Sequence, residues 1–109
     1  MSVLSDENRY QLLKLLEENP EMSQRQIAAA LGVSLGKVNF CLRALIEIGS
    51  VKVANFSRSP NKKAYVYLLT PKGIEEKAKV TLRFLAKKQN EYKELKREIN
   101  ELKNELKVL

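Results

Sequence analysis

The stretch Ser23-Gln24-Arg25-Gln26-Ile27-Ala28-Ala29-Ala30-Leu31-Gly32-Val33-Ser34 decides the fold. Ser23 and Gln26 have the spacing of a capping box. The serine hydroxyl accepts from the backbone of the third helical residue, whose side chain reaches back to the serine N–H. Met22 and Ile27 flank the box where a hydrophobic staple would sit. A helix therefore starts at Gln24. It is short, because Gly32 is the left-handed residue that ends a helix. Only Val33 separates Gly32 from Ser34, which is suited to cap the next helix. Two helices joined by so tight a glycine corner predict a helix-turn-helix. Ala28 is small where the helices cross, and Ile27, Leu31, Val33 and Val38 fill the space between them.

Working outward, the helix after the corner is expected over 35–48. Leu35, Val38, Leu42 and Leu45 recur at helical spacing and are expected to face inward, flanked by Cys41 and Ile46. Gly49 terminates it. Upstream, Ser5 caps a helix over 5–18, with Asp6 and Glu7 at the positive end of its dipole. Tyr10, Leu13 and Leu16 form its apolar stripe, and Asn19-Pro20 ends it. Downstream, 51–56 and 64–69 read as strands, rich in aromatic and β-branched residues. Between them Ser57-Arg58-Ser59-Pro60-Asn61-Lys62-Lys63 reads as a polar turn, giving a hairpin with a basic tip. Thr70 then caps a last helix with Pro71 in its first position. No further proline, and no glycine beyond Gly73, interrupts 71–109, so one helix of roughly 55 Å is expected. The fold class is α+β, mostly α: a winged helix-turn-helix in the order α-α-α-β-β, then one long C-terminal helix. Residues 1–73 form the winged domain and 74–109 the dimerisation helix.

Composition narrows the function. The net charge is +7 over 109 residues. Between Glu47 and Glu75 there is no acidic residue, while Lys52, Arg58, Lys62, Lys63 and Lys72 fall in that interval. A basic patch points to a polyanion, most commonly nucleic acid. Cys41 is alone, so no intrachain disulfide forms and a reducing compartment fits. The chain has no histidine and one cysteine, so no ordinary zinc site can be assembled and no metal or cofactor is expected. With no phosphate-cradling glycine loop either, the reading is not an enzyme. No apolar run approaches the roughly 20 residues of a membrane span, and Ser5-Asp6-Glu7 breaks any signal pattern. A cytoplasmic location without membrane partners is expected.

The run Ser23-Gln24-Arg25-Gln26-Ile27-Ala28, Leu31-Gly32-Val33-Ser34, Val38, Leu42, Leu45, Gly49 and Val51 resembles the MarR-type winged-helix regulators. Leu69-Thr70-Pro71-Lys72-Gly73, closing the wing, resembles them too. The resemblance covers roughly residues 5 to 85. In its short length and long charged C-terminal helix the chain is similar to a small MarR-like group associated with exopolysaccharide gene clusters. The resemblance implies transcriptional regulation by operator binding, usually as a dimer. The chain departs from typical MarR proteins in having one C-terminal helix where they use several to build the dimer and a ligand pocket. No small-molecule effector is therefore assigned.

On the helix after the corner, the face opposite Leu35, Val38, Leu42 and Leu45 carries Gly36, Lys37, Phe40, Arg43 and Ala44, with Asn39 on its flank. Lys37 and Arg43 suit guanine edges or phosphates, Asn39 suits adenine, and Phe40 suits thymine methyls. For Phe40 the alternative is cover by Tyr65 or by a dimer partner. Gly36 would permit close backbone approach, and Ser34 can donate to a phosphate. Arg58, Lys62 and Lys63 at the wing tip suit phosphate contact or insertion into a narrow minor groove.

A heptad can be laid on the last helix. Its a positions are Ala78, Leu85, Tyr92, Ile99 and Leu106; its d positions are Ile74, Thr81, Lys88, Leu95, Leu102 and Leu109. The seam is clean from Tyr92 onward and poor at Thr81 and Lys88. Glu91, Glu98 and Glu105 fall at g, Lys96 and Lys103 at e. In a parallel dimer Glu91 meets Lys96 and Glu98 meets Lys103 of the partner, whereas an antiparallel pair sets like against like. Leu85, Tyr92, Leu95, Ile99, Leu102 and Leu106 are therefore the expected dimerisation residues. The alternative is that this stripe folds back on the first helix. At the level of function, the expected partner is double-stranded DNA carrying a two-fold symmetric operator. The alternative is a winged-helix protein-interaction module without specific DNA binding.

Overall fold

The computed structural model describes residues 4–59 and 62–109, and side chains outside 56–64. The order is α1 (Asp6–Glu18), α2 (Gln24–Leu31), α3 (Leu35–Glu47), β1 (Val51–Ser59), β2 (Lys62–Leu69) and α4 (Pro71–Lys107). Each helix begins where a side chain satisfies a backbone donor the helix cannot. The Ser5 hydroxyl accepts from Asn8 N at 3.1 Å. Ser23 and Gln26 close the full capping box, at 3.1 and 2.9 Å. Ser34 accepts from Lys37 N, and Thr70 from Gly73 N, both at 3.1 Å. Gly32, at φ +67°, and Gly49, at φ +81°, occupy the left-handed region that ends α2 and α3. Across the Gly32 corner the chain turns by 112° between α2 and α3, within the range of about 90–120° for a helix-turn-helix.

The core lies where α1, α2, α3 and the base of the ribbon meet. Leu12, Leu13, Leu16, Ile27, Val38 and Leu42 are fully enclosed, with Ala28, Cys41, Leu45, Val51 and Tyr67 around them. Each large aliphatic chain contributes about 1.5–3 kcal/mol by leaving water. Leu35 departs from the inward face expected for it and is 42% exposed. It is the first residue of α3, and the helix reaches the core only at its second turn, with Val38. The ribbon also departs from expectation. β1 and β2 run on through Ser59 and Lys62, past the expected ends at 56 and 64, paired antiparallel from Val51–Leu69 outward. A two-stranded ribbon pairs by its backbone, so polar residues that read as a turn can continue a strand. Between Ser57 and Ser59 the register shifts by one residue, leaving Arg58 as the extra residue of a bulge.

Two features seat α4. The Thr70 hydroxyl donates to Gly49 C=O, and Thr70 N donates to Ser50 C=O at 3.1 Å. A Cβ on Gly73 would stand 2.1 Å from that same Ser50 oxygen, so the helix approaches the α3–β1 turn as closely as glycine allows. The first turns of α4 then run along α1. Val80 is fully buried, Tyr10 and Phe84 stack with centroids 5.4 Å apart, and Asp6–Arg83, Arg9–Glu76 and Glu17–Lys77 form ion pairs of 2.9–3.3 Å. From residue 85 to the end every residue is exposed. The helix projects free, and the molecule measures 73 × 26 × 23 Å. Among the described residues no single helix is long and apolar enough to cross a membrane. The pair α2 and α3 reaches that length only together, across its 112° corner.

Candidate nucleic-acid interface

Helix α3 has two faces set by its sequence. Val38, Cys41, Leu42 and Leu45 lock one face into the core, which holds the other outward without freedom to roll. Gly36, Lys37, Phe40, Arg43 and Ala44 are all exposed on it, with Ser34 at its start. Neither Lys37 nor Arg43 enters an ion pair among the described residues. A Cβ at Gly36 would meet only Ser34 Oγ, at 4.0 Å, so nothing inside the chain requires glycine there. Phe40 is 57% exposed, and Tyr65 of β2 is exposed as well rather than burying it. Gly36, Asn39, Phe40, Arg43, Ala44 and Glu47 line a shallow hollow along this face. The hollow combines cationic, aromatic and amide groups. Its one carboxylate, Glu47, stands at the last residue of α3.

Asn39 is the exception to simple exposure. It is half-buried, and its Nδ2 donates to Gln24 Oε1 at 3.1 Å. Gln24 Nε2 in turn donates to Tyr67 Oη at 3.0 Å. Tyr67 is buried at the base of β2, and its backbone N–H donates to Pro20 C=O at 3.0 Å. Gln24 and Tyr67 thus stand behind the candidate site, joined to it only through Asn39, and sequence reasoning did not find them. Their partners lie 15 and 43 residues away, and no local pattern signals such contacts. For Arg58, Lys62 and Lys63 the backbone lies in the ribbon, while their side chains lie outside the described residues.

The six expected dimerisation residues are all exposed along α4: Leu85, Tyr92, Leu95, Ile99, Leu102 and Leu106. The first half of α4 packs on α1; the stripe itself does not fold back. On the opposite face Arg97 pairs with Glu94 at 2.6 Å and with Glu101 at 3.8 Å. Lys88 lies 5.3 Å over the Phe84 ring and pairs with Glu91 at 3.2 Å, which accounts for the break in the seam between Leu85 and Tyr92. Burial pushes the Cys41 thiol above its ordinary value, an effect that the nearby Arg9 guanidinium and a backbone hydrogen bond from Leu4 offset in part. The thiol is therefore a packing group rather than a nucleophile at neutral pH.

Residues 5–52 match the family model described as winged helix-turn-helix DNA-binding. Among curated proteins none is significantly similar. Solved structures are. A transcriptional regulator homologue from Pyrococcus horikoshii is 21% identical, with a TM-score of 0.57 over 75% of this chain and 80% of that one. Staphylococcus aureus MarR, solved with salicylate and kanamycin, is 23% identical, with a TM-score of 0.53 over 75% and 53%. The transcriptional repressor CouR, solved on a 23-mer DNA duplex, is 30% identical, with a TM-score of 0.52 over 66% and 49%. The chain thus spans about half the length of the latter two. Capped helices, glycine corner, ribbon and these likenesses agree: residues 5–52 match the winged helix-turn-helix DNA-binding model, and the chain has the winged-helix fold of the MarR-type regulators.

Proposed function

We propose that the chain is a sequence-specific, double-stranded-DNA-binding transcriptional regulator that acts as a homodimer on a two-fold symmetric operator. The observation that carries this reading is the uncovered face of α3. Lys37, Phe40 and Arg43 stand in solvent while the opposite face is locked into the core. In this reading Lys37 and Arg43 meet guanine edges or phosphates, Asn39 reads adenine and Phe40 packs on thymine methyls. Gly36 lets the backbone approach, Ser34 donates to a phosphate, and Arg58, Lys62 and Lys63 bring the wing to the neighbouring backbone or minor groove. The regulators and the DNA-bound repressor among similar structures support a binding role over a catalytic one, and with it a place in the cytoplasm.

The dimer is proposed through the exposed stripe of α4, in parallel. Arg97 is engaged with Glu94 and Glu101 on the outer face. Among the described residues Glu98 and Lys103 enter no ion pair, so they can meet a second copy in the g-to-e pattern; Lys96 is equally unpaired, while Glu91 would have to leave Lys88 to meet it. Such exposed pairs contribute at most about 1 kcal/mol each and mainly set orientation. The Leu and Ile side chains supply the association, at about 1.5–3 kcal/mol apiece when buried. Residues 1–73 act as the reading domain and 74–109 as the dimerisation helix.

Anisotropy titration on duplexes of the chain's own upstream region, with Lys37→Glu/Arg43→Glu beside the wild type, tests the proposal. The expected result is salt-dependent binding that the double substitution weakens at least tenfold, with the sedimentation mass unchanged. Binding that ignores salt, or a double variant that binds equally well, would overturn it and favour a protein-interaction module.

A further inference from the structure

The hydrogen bonds from Asn39 to Gln24 and from Gln24 to Tyr67 link three elements: α3, α2 and the ribbon. Among the described residues they make a continuous side-chain path from the wing to the reading face. Tyr67 is an unusual anchor. Its ring is buried, its hydroxyl ends on Gln24, and its backbone N–H is tied to the loop between α1 and α2. A buried ring has little rotamer freedom, so the oxygen that receives Gln24 is fixed in space. A terminal amide, by contrast, rotates in a broad well and carries donor and acceptor at nearly the same distance. Left alone on α3, Asn39 would present either group to a base.

We infer that Gln24 and Tyr67 are positioning residues that fix the orientation of the Asn39 amide, and thereby set the base preference of the DNA site. This rests on the DNA-binding reading above. A phenol both donates and accepts, so Tyr67 supplies a fixed anchor point rather than the sense of the path. In the structure Tyr67 Oη accepts from the Gln24 amide nitrogen, with the Gln24 carbonyl oxygen toward α3. That oxygen can only accept, so it selects the nitrogen end of Asn39. The Asn39 carbonyl and its second N–H remain to face a base edge, and that donor–acceptor pair is the one adenine matches in the major groove. Removing the tyrosine hydroxyl leaves Gln24 free to turn over, and Asn39 with it.

The experiment measures the affinity of the full chain for its selected duplex and for single base-pair variants of that duplex. It compares the wild type, Tyr67→Phe, Gln24→Ala, Asn39→Ala and the Tyr67→Phe/Asn39→Ala pair. Tyr67→Phe and Gln24→Ala are expected to lower discrimination at one base pair on the order of 5- to 10-fold. Affinity for random duplex and the salt slope should stay within about twofold. In the Asn39→Ala background Tyr67→Phe should change discrimination no further, since the path then has no end. Circular dichroism melting identifies a variant that is merely unfolded, and Gln24→Ala, at the first position of α2, gives the second route. Equal loss on every duplex, or unchanged discrimination in both single variants, overturns the inference while leaving the DNA reading intact. A wild type that binds no duplex at all overturns both.

Discussion

At the residue scale, two positions near the α3–β1 turn separate local propensity from tertiary fit. Alanine is the better helix former by about 1 kcal/mol, so Gly73→Ala ought to stabilise α4. The structure opposes this, because the new Cβ meets the backbone oxygen of Ser50 at 2.1 Å. A backbone oxygen cannot swing aside as a side chain can, so the overpacking cost of about 1–3 kcal/mol wins. Gly73→Ala is expected to lower Tm by several degrees in thermal unfolding; a rise would show that α4 has room to shift. Ser50 gives the opposite expectation. It is fully buried, and its hydroxyl has no hydrogen-bond partner among the described residues. Ser50→Ala removes an unsatisfied polar group and should be neutral or stabilising by up to about 1 kcal/mol in urea unfolding. A loss above about 1 kcal/mol would mean that the hydroxyl is satisfied in solution. The motif Thr70-Pro71-Lys72-Gly73 was legible as a helix start, but the reason for its glycine was not, since the oxygen it admits belongs to a residue 23 positions upstream.

At the scale of elements, legibility followed locality. Ser23 with Gln26, Gly32, Gly49 and Thr70-Pro71 act within four residues of themselves, and each produced the cap or corner its chemistry implies. The outward face of α3 was legible for the same reason, because one helix period sorts Lys37, Phe40 and Arg43 from Val38, Cys41 and Leu42. Ribbon length was not, since backbone pairing needs no apolar residue to announce it. Nor was the tie from Asn39 through Gln24 to Tyr67, which depends on where α2 and β2 come to rest. For α4 the periodicity implied a stripe but not what it would touch. The structure divides the helix at about residue 84, into a half docked on α1 and a half wholly in solvent. An orientation test follows from the heptad. In a parallel pair an a residue faces its own copy, so Leu106→Cys should form an intermolecular disulfide under mild oxidation. An antiparallel pair would set residue 106 far from its counterpart, and no crosslink would form. Ile99→Asp, a charge at the seam, should convert the proposed dimer to a monomer in sedimentation equilibrium; an unchanged dimer mass would move the interface elsewhere.

At the scale of the molecule, the projecting half of α4 makes the particle 73 Å long for a core only 26 × 23 Å across. The proposed pairing of two such helices side by side would join the winged domains at one end and impose a two-fold axis between their reading faces. Two recognition helices on one face of a duplex lie about 34 Å apart, one turn of the double helix. The charge pattern fits such a partner, with no carboxylate from residue 48 to residue 74. The single measurement closest to the central claim is methylation interference on a duplex selected by the wild-type chain, which reports contacts at guanine N7 in the major groove. Two symmetric clusters of interference about 10 base pairs apart are expected, both absent with Lys37→Glu/Arg43→Glu. Interference that is absent with the wild type, or that persists unchanged when those two cations are reversed, would contradict it.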